Sequence, residues 1–302
     1  MNQILFGANV DPSAADPQEP FRRAQIADEN DLDLITLMDH SYNRRLFDTW
    51  TLLTALAART ERVHVGTNVL NLPLRPPAML AKMAATLDVL TGGRVEIGLG
   101  AGAGIGRDGV AAYGGPKRSP VEAYAAFEDA LHIIRAMWDH TGGGVTYEGP
   151  VYQVRGLQPG PPPAHRIPLW VGGRGPRMLR LTGRLADGLF VSTAYDPRER
   201  LLSYNEWIDE GAEQAGRSPA DIRRGYNLMG VLDLGRPDTR AKEEQANNIY
   251  GPVQKWVDDI LTFYHDYGQD TFIFWPVAGN ERLQIEGFAK EVVPAVRAAL
   301  KK

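Results

Sequence analysis

Cysteine is absent from this 302-residue chain, which excludes a disulfide framework, cysteine-ligated zinc and a thiol nucleophile. No apolar run reaches the roughly 18 residues that a membrane-spanning helix needs. The opening residues, MNQILFGANVDPS, have neither the basic start nor the apolar stretch of a secretory signal. A cytoplasmic protein without a membrane partner is therefore expected. An excess of one charge is missing too. Thirty-three Lys and Arg are interspersed with 37 Asp and Glu for a net charge of −4, so no electrostatic footprint for nucleic acid exists. His64, His132, His140, His165 and His265 fall at no ligand spacing, and H-E-x-x-H, C-x-x-C and the phosphate-loop pattern are all lacking, so no metal site is expected.

What the chain has is rhythm. Short apolar runs read as strands at Ile4–Ala8, Asp33–Met38, Val63–Val69, Arg94–Leu99, Leu169–Gly172, Gly188–Ser192, Gly225–Leu232 and Thr271–Trp275. Amphipathic stretches alternate with them, at Pro20–Asn30, Asp48–Thr60, Pro77–Leu90, Pro120–His140, Pro176–Arg184, Glu199–Ala215, Gly251–Tyr267 and Leu283–Leu300. Alternation of this kind argues for a parallel sheet with crossover helices. An open doubly wound sheet usually stops at five or six strands. Eight repeats suit a (β/α)₈ TIM barrel, which needs about 250 residues before insertions, and the whole chain, 1–302, reads as one such domain. Between Gly142 and Arg166 the rhythm breaks. Val145–Tyr147 and Val151–Val154 flank Glu148-Gly149-Pro150 as a small hairpin, and a proline-rich connector, Pro159 to Pro163, follows.

In a barrel, the C-terminal strand ends carry the chemistry. Here they offer Asp39-His40 after strand 2, Asn68-Val69 and Asn71 at strand 3, and a glycine-rich run from Gly98 to Gly106 at strand 4. Gly172-Gly173-Arg174-Gly175-Pro176 follows strand 5, Ser192 ends strand 6, and Trp275 ends strand 8. Gly104 to Gly109 matches G-x-G-x-x-G by letters. It lies beyond its strand, however, and no strand follows with the acidic residue that a dinucleotide site requires. Read as plain structure, Asp39 would cap helix 2, Asn68 would end a buried strand, Gly173 and Gly175 would shape a turn, and Trp275 would pack in the core.

The run VHVGTNVLNLPLRPPAMLAKMAATLDVLTGGRVEIGLGAG, Val63 to Gly102, resembles the central signature of the bacterial-luciferase-like flavin and deazaflavin oxidoreductases. Asp39-His40, IPLWVGGRGP (Ile167–Pro176), LADGLFVS (Leu185–Ser192) and FAKEVVPAVR (Phe288–Arg297) stand in the same order as in that superfamily. The Asp-His pair resembles the branch that uses coenzyme F-420, an 8-hydroxy-5-deazaflavin. The resemblance implies that His40 exchanges a proton with the substrate, a task suited to an imidazole. It also implies that Asp39 accepts a hydrogen bond from the cofactor, and that a non-proline cis peptide at Asn68-Val69 backs the ring, with Asn71 at its edge. Ala101, Gly102 and Gly106 would let the cofactor approach closely. Gly172, Gly173 and Gly175, with Arg174, Arg177 and Met178, would hold its phosphate at a helix start. Tyr42, Arg44, Arg107, Ser192 and Trp275 are the substrate-side candidates.

Three departures narrow this reading. Ala103 stands where some deazaflavin enzymes of the family carry a catalytic glutamate, and Arg44 stands where they carry a tryptophan. Tyr195 replaces the lysine of the sugar-phosphate dehydrogenases, which argues against a sugar phosphate. The expected activity is hydride transfer between coenzyme F-420 and a small organic substrate such as an alcohol, an aldehyde or an activated alkene. The alternatives are an FMN-dependent monooxygenase using oxygen and a non-catalytic flavin-binding accessory protein. The resemblance further implies a homodimer with apolar outer faces on helices 2 and 3.

Overall fold

The computed structural model describes residues 3–102, 106–140, 142–241 and 243–301. Eight strands pair side by side in parallel: β1 Leu5–Asn9, β2 Leu34–Leu37, β3 His64–Thr67, β4 Val95–Gly100, β5 Leu169–Gly172, β6 Gly188–Ser192, β7 Arg223–Asp233 and β8 Thr271–Pro276. The sheet closes where Leu5 pairs with Thr271, so the structure is a (β/α)₈ barrel. Each strand is followed by a helix on the outside: α1 Glu19–Glu29, α2 Thr49–Ala57, α3 Pro77–Thr91, α4 Pro120–Trp138, α5 Pro176–Leu185, α6 Leu201–Gln214 and α7 Val253–His265. The last helix, α8, runs Glu281–Gly287 and continues through a π-helical turn, Phe288–Val292, into Val293–Ala299.

Local chemistry sets these boundaries. Ser119 and Glu122 form a reciprocal capping box at the start of α4, with Pro120 at the first helical position. Asp48 caps α2 by accepting from the Thr51 N–H at 2.8 Å, so the cap of that helix is Asp48 and not Asp39. β7 begins two residues before the expected Gly225. Arg223 and Arg224 do not look like strand residues, yet Arg224 is buried and its guanidinium reaches Asp209 at 2.5 Å. β3 stops at Thr67, the Asn68–Val69 peptide is cis, and pairing resumes over Leu70–Asn71 beside β4. The inserted hairpin is present as Val145–Glu148 against Gln153–Leu157. Its second strand starts later than expected because the buried Asp129 carboxylate captures the Val151 and Tyr152 N–H groups, at 2.8 Å each.

Alternation along the strands sends every second side chain into the barrel. Leu34, Trp170, Phe190 and Ile273 form an apolar layer there, with Val69 packed against it. Trp170 and Phe190 stack with centroids 4.2 Å apart. Below them the Trp170 indole donates to Glu96 at 2.7 Å. Room for two large rings comes from glycine. A Cβ on Gly188 would meet the Trp170 ring at 2.3 Å, and one on Gly225 would meet Phe190 at 2.5 Å.

On the outside, α2 turns Leu52, Leu53 and Leu56 inward and leaves Thr51, Thr54 and Ala58 exposed. The expected apolar outer face is therefore not found on α2. It is found on α3, where Met79 is 52% and Leu90 78% exposed. No described helix is long and apolar enough to cross a membrane.

Gly188→Ala tests the packing of the barrel interior. The added methyl has no space beside Trp170, so a loss of about 1–3 kcal/mol is expected. Urea unfolding measures it, and an unchanged midpoint would show that the stack moves aside at no cost.

Candidate active site

The C-terminal ends of the strands converge on one mouth. The Asp39-His40 pair leaves β2, and the Asp39 side chain has no exposed surface. Its carboxylate accepts from Arg75 at 2.6 Å, from the Asn71 N–H at 3.0 Å and from the Ser41 hydroxyl at 2.9 Å. The Asn71 amide returns a bond to the Asp39 carbonyl. Asp39 thus has protein donors on its carboxylate and is fully buried. Its role is to lock the loop that carries His40. Arg75 extends the lock to the Asp48 cap at 3.0 Å.

His40 is exposed at this mouth, with Nδ1 2.6 Å from the Tyr42 hydroxyl. Partial desolvation by the concave surroundings holds the imidazole below its usual 6.5, and the Asp39 charge only partly offsets this. Burial likewise pushes the Tyr42 phenol above its ordinary 10. The Tyr42 ring lies against the short helix Gly106–Ala112, where a Cβ on Gly109 would meet it at 2.3 Å. A Cβ on Gly106 would come within 3.2 Å of the Tyr42 hydroxyl and 3.5 Å of the Asn71 amide oxygen. His40, Tyr42, Asn71 and Gly106 thus lie together.

Above the apolar layer, the inward positions are polar and uncharged. Asn9, Thr36, Asn68 and Asn227 are all buried, and Ser192 is half-buried. Asn68 and Asn227 exchange amide hydrogen bonds at 2.7 and 3.3 Å, and the Asn227 amide donates to Ser192 Oγ at 2.9 Å. Among the described residues, Asn9 Oδ1 and Thr36 Oγ1 have no hydrogen-bond partner. Trp275 stands at the end of β8 in register with Met229. Asn9, Thr36 and Asn227 escaped the sequence reading. The available signal was an amide or hydroxyl two residues beyond an inward Gly7, Leu34 or Gly225.

Val69 fills the space between two glycines, since a Cβ on Gly172 would meet its methyls at 2.6 Å and one on Gly100 at 2.9 Å. Nearby, Gly102 lies against Pro73, and Ala101, Gly102, Arg107 and Arg118 line a small recess of about 40 Å³. Ala103, Gly104 and Ile105 lie outside the described residues. Arg44 is exposed on the loop after His40.

The start of α5 has no side-chain cap among the described residues, and Gly175, at φ +82°, is a position that favours glycine. Helix starts of this kind are suited to an anionic partner. Met178 packs over Gly173, where a Cβ would meet it at 2.5 Å. Arg174 is held by the buried Asp196 at 2.8 Å, and its guanidinium lies 5.3 Å from the Tyr195 ring centre. Arg177 lies 3.8 Å over Tyr124. A separate cavity of about 280 Å³ lies between the ends of β6 and β7 and helix α7. Its charged lining is self-paired, with Lys255 2.8 Å from Asp259 and Arg198 3.6 Å from Glu199. His40 does not border it.

Comparison with known proteins adds the lineage. The family described as luciferase-like monooxygenase matches residues 4–272. An F-420-dependent glucose-6-phosphate dehydrogenase from Microbacterium testaceum is 32% identical over 270 residues, covering 86% of this chain and 77% of that protein. A phthiodiolone/phenolphthiodiolone dimycocerosates ketoreductase from a Mycobacterium species is 36% identical over 222 residues, covering 72% of this chain and 56% of that protein. Among solved structures, an F-420-dependent secondary alcohol dehydrogenase in complex with an F-420-acetone adduct superimposes with a TM-score of 0.85 at 20% identity. That match covers 98% of this chain and all of the other, and it supports the fold.

Arg75→Met tests the lock on the His40 loop. It leaves a buried carboxylate without its counter-charge, and a loss of about 3–5 kcal/mol is expected. Adding Asp39→Asn should return part of that loss in thermal or urea unfolding. Equal stabilities for the single and double variants would remove the ion pair from this role.

Proposed function

The chain belongs to the luciferase-like monooxygenase family, and on that premise we propose that it is a coenzyme F-420-dependent oxidoreductase with His40 as its proton donor and acceptor. The observation that carries this reading is His40 itself, an imidazole of lowered basicity placed at the barrel mouth on a loop locked by Asp39 and Arg75. The names of the two curated relatives, one an F-420-dependent dehydrogenase and the other a ketoreductase, support the same chemistry.

The residues present fit such a cofactor. The open start of α5, flanked by Arg174 and Arg177, suits its phosphate. Val69, seated between Gly100 and Gly172, supplies a flat apolar backstop for a ring. Coenzyme F-420, when bound, supplies or takes up the hydride.

The protein's part is to manage the proton. Nδ1 of His40 is engaged with Tyr42, so Nε2 is the atom left for the substrate. In alcohol oxidation Nε2 takes the hydroxyl proton while Nδ1–H donates to the Tyr42 oxygen. In carbonyl reduction the same nitrogen returns the proton. Tyr42 follows either state because a hydroxyl both donates and accepts. Ser192 and Trp275 line the substrate side. A second reading, oxygen-dependent chemistry with FMN, is favoured by the family's own description.

Two measurements test the proposal. Titration of the protein with coenzyme F-420 and with FMN, followed by tryptophan fluorescence, should show micromolar or tighter binding of the deazaflavin; preference for FMN would transfer the assignment to the second reading. For alcohol oxidation, kcat/KM should rise with pH as His40 deprotonates, with a midpoint below 6.5 because the folded-state pKa is depressed. His40→Gln should abolish that limb and lower the rate by about 10²–10⁴-fold. An unchanged profile would remove His40 from the proton path.

A further inference from the structure

A base at Nε2 needs a lone pair there, so a neutral His40 must carry its proton on Nδ1. Nδ1–H then donates to the Tyr42 oxygen, 2.6 Å away. Tyr42 has a proton of its own to place, because burial and the nearby Asp39 charge oppose ionisation of its phenol. If that proton turned to Nδ1, the imidazole would hold its hydrogen on Nε2 and could not act as a base. The outcome depends on a second acceptor for the phenol. Among the described residues no other group takes the Tyr42 proton directly.

The Tyr42 ring has little freedom to turn elsewhere. It rests on Gly109, where an added Cβ would meet three of its carbons at 2.3, 2.5 and 2.8 Å. Three residues earlier, Gly106 keeps a small place open beside the hydroxyl. The point that its Cβ would occupy lies 3.2 Å from the Tyr42 oxygen and 3.5 Å from Asn71 Oδ1. A water centred there need settle only a few tenths of an ångström to bond both. The Asn71 amide cannot turn over, since its nitrogen donates to the Asp39 carbonyl, which only accepts. Oδ1 is therefore the atom that faces Gly106, and no described residue donates to it.

We infer that Asn71 is the positioning residue that fixes the His40 tautomer. One water seated at Gly106 accepts the Tyr42 proton and donates to Asn71 Oδ1, so the Tyr42 oxygen accepts from Nδ1–H and Nε2 is left as the base. This rests on the reading of His40 as the proton-exchanging residue. In alcohol oxidation the substrate O–H bond breaks and its proton joins the Nε2 lone pair, while the hydride leaves carbon for the oxidised cofactor. Nδ1–H stays in place throughout. A histidine whose tautomer is set beforehand spends nothing on rearrangement when the proton moves.

The test is a nitrogen NMR spectrum of the full chain labelled with ¹⁵N-histidine, taken without cofactor and well above the ordinary imidazole pKa of 6.5. Only six histidines are present, and His40 is assigned by the signal lost in His40→Gln. Wild type should show the proton on Nδ1. Gly106→Ala puts a methyl where the water sits, and the proton should move to Nε2. Tyr42→Phe should do the same, and the double variant should match Tyr42→Phe alone, because the two changes break one chain of bonds. With coenzyme F-420 bound, alcohol oxidation by Gly106→Ala should fall about 10²-fold, the lower end of what a positioned base contributes. The cofactor-free spectrum is blind to any effect of the methyl on cofactor approach.

A wild-type proton on Nε2 would overturn the inference, as would a Gly106→Ala spectrum identical to wild type. Should Gly106→Ala fold poorly, wild type and Tyr42→Phe still decide the matter. A proton on Nδ1 in both would remove Tyr42, and Asn71 behind it, from control of the tautomer. Unchanged turnover in His40→Gln, with Nδ1 protonated as expected, would sink the proton-exchange reading instead.

Discussion

Closure of an eight-strand parallel barrel governs everything else in this molecule. A closed sheet has no free edge, and its inner face admits only what fits between the strands. Trp170 and Phe190 stack across that space because Gly188 and Gly225 have no side chain to contest it. The lower interior is filled by rings and branched chains. The next inward positions form a floor rather than a lumen. Polar side chains there cost little where they bond to one another, as Asn68, Asn227 and Ser192 do. Asn9 and Thr36, whose oxygens lack such bonds, add polar character to the same floor.

Much of this was legible in the sequence, for reasons that can be named. β5 and β6 fall where expected because Pro168 and Gly173 bound one, and Asp187 and the hydroxyl-ended Ser192 bound the other. Proline at the first helical position marks α3, α4 and α5 directly. The clustering of His40, Tyr42, Asn71 and Gly106 follows from barrel topology, since neighbouring strand ends must meet. The office of Asp39 was not legible. A carboxylate beside a histidine at a strand end reads equally well as a ligand and as an anchor. The deciding partner, Arg75, lies 36 positions on, between Leu74 and Pro76, with no local pattern to announce it. Asn227 was hidden for a different reason. The strand Arg223–Asp233 is buried along nearly its whole length, and one amide in such a run looks like an interruption until its neighbours across the barrel are known. Ala103, where some deazaflavin enzymes of the family carry a catalytic glutamate, lies outside the described residues.

Charge is sorted by depth in this site. Asp39 and Asp196 are each buried and held by an arginine, Arg75 and Arg174 respectively. Neither presents a free carboxylate. Exposed positive charge is confined to the rim, at Arg44, Arg107, Arg174 and Arg177. Between rim and apolar core lies an uncharged layer, overlooked by an imidazole whose basicity desolvation lowers. A ligand with an anionic end and a neutral reactive end is thereby oriented without any dedicated contact at its centre. The uncapped start of α5 would favour the anionic end, and the neutral end would descend without an electrostatic penalty. A sugar phosphate would need a second anion site near the substrate. Tyr195, where the sugar-phosphate dehydrogenases place a lysine, is 62% exposed and packs its ring under Arg174 instead of offering a charge.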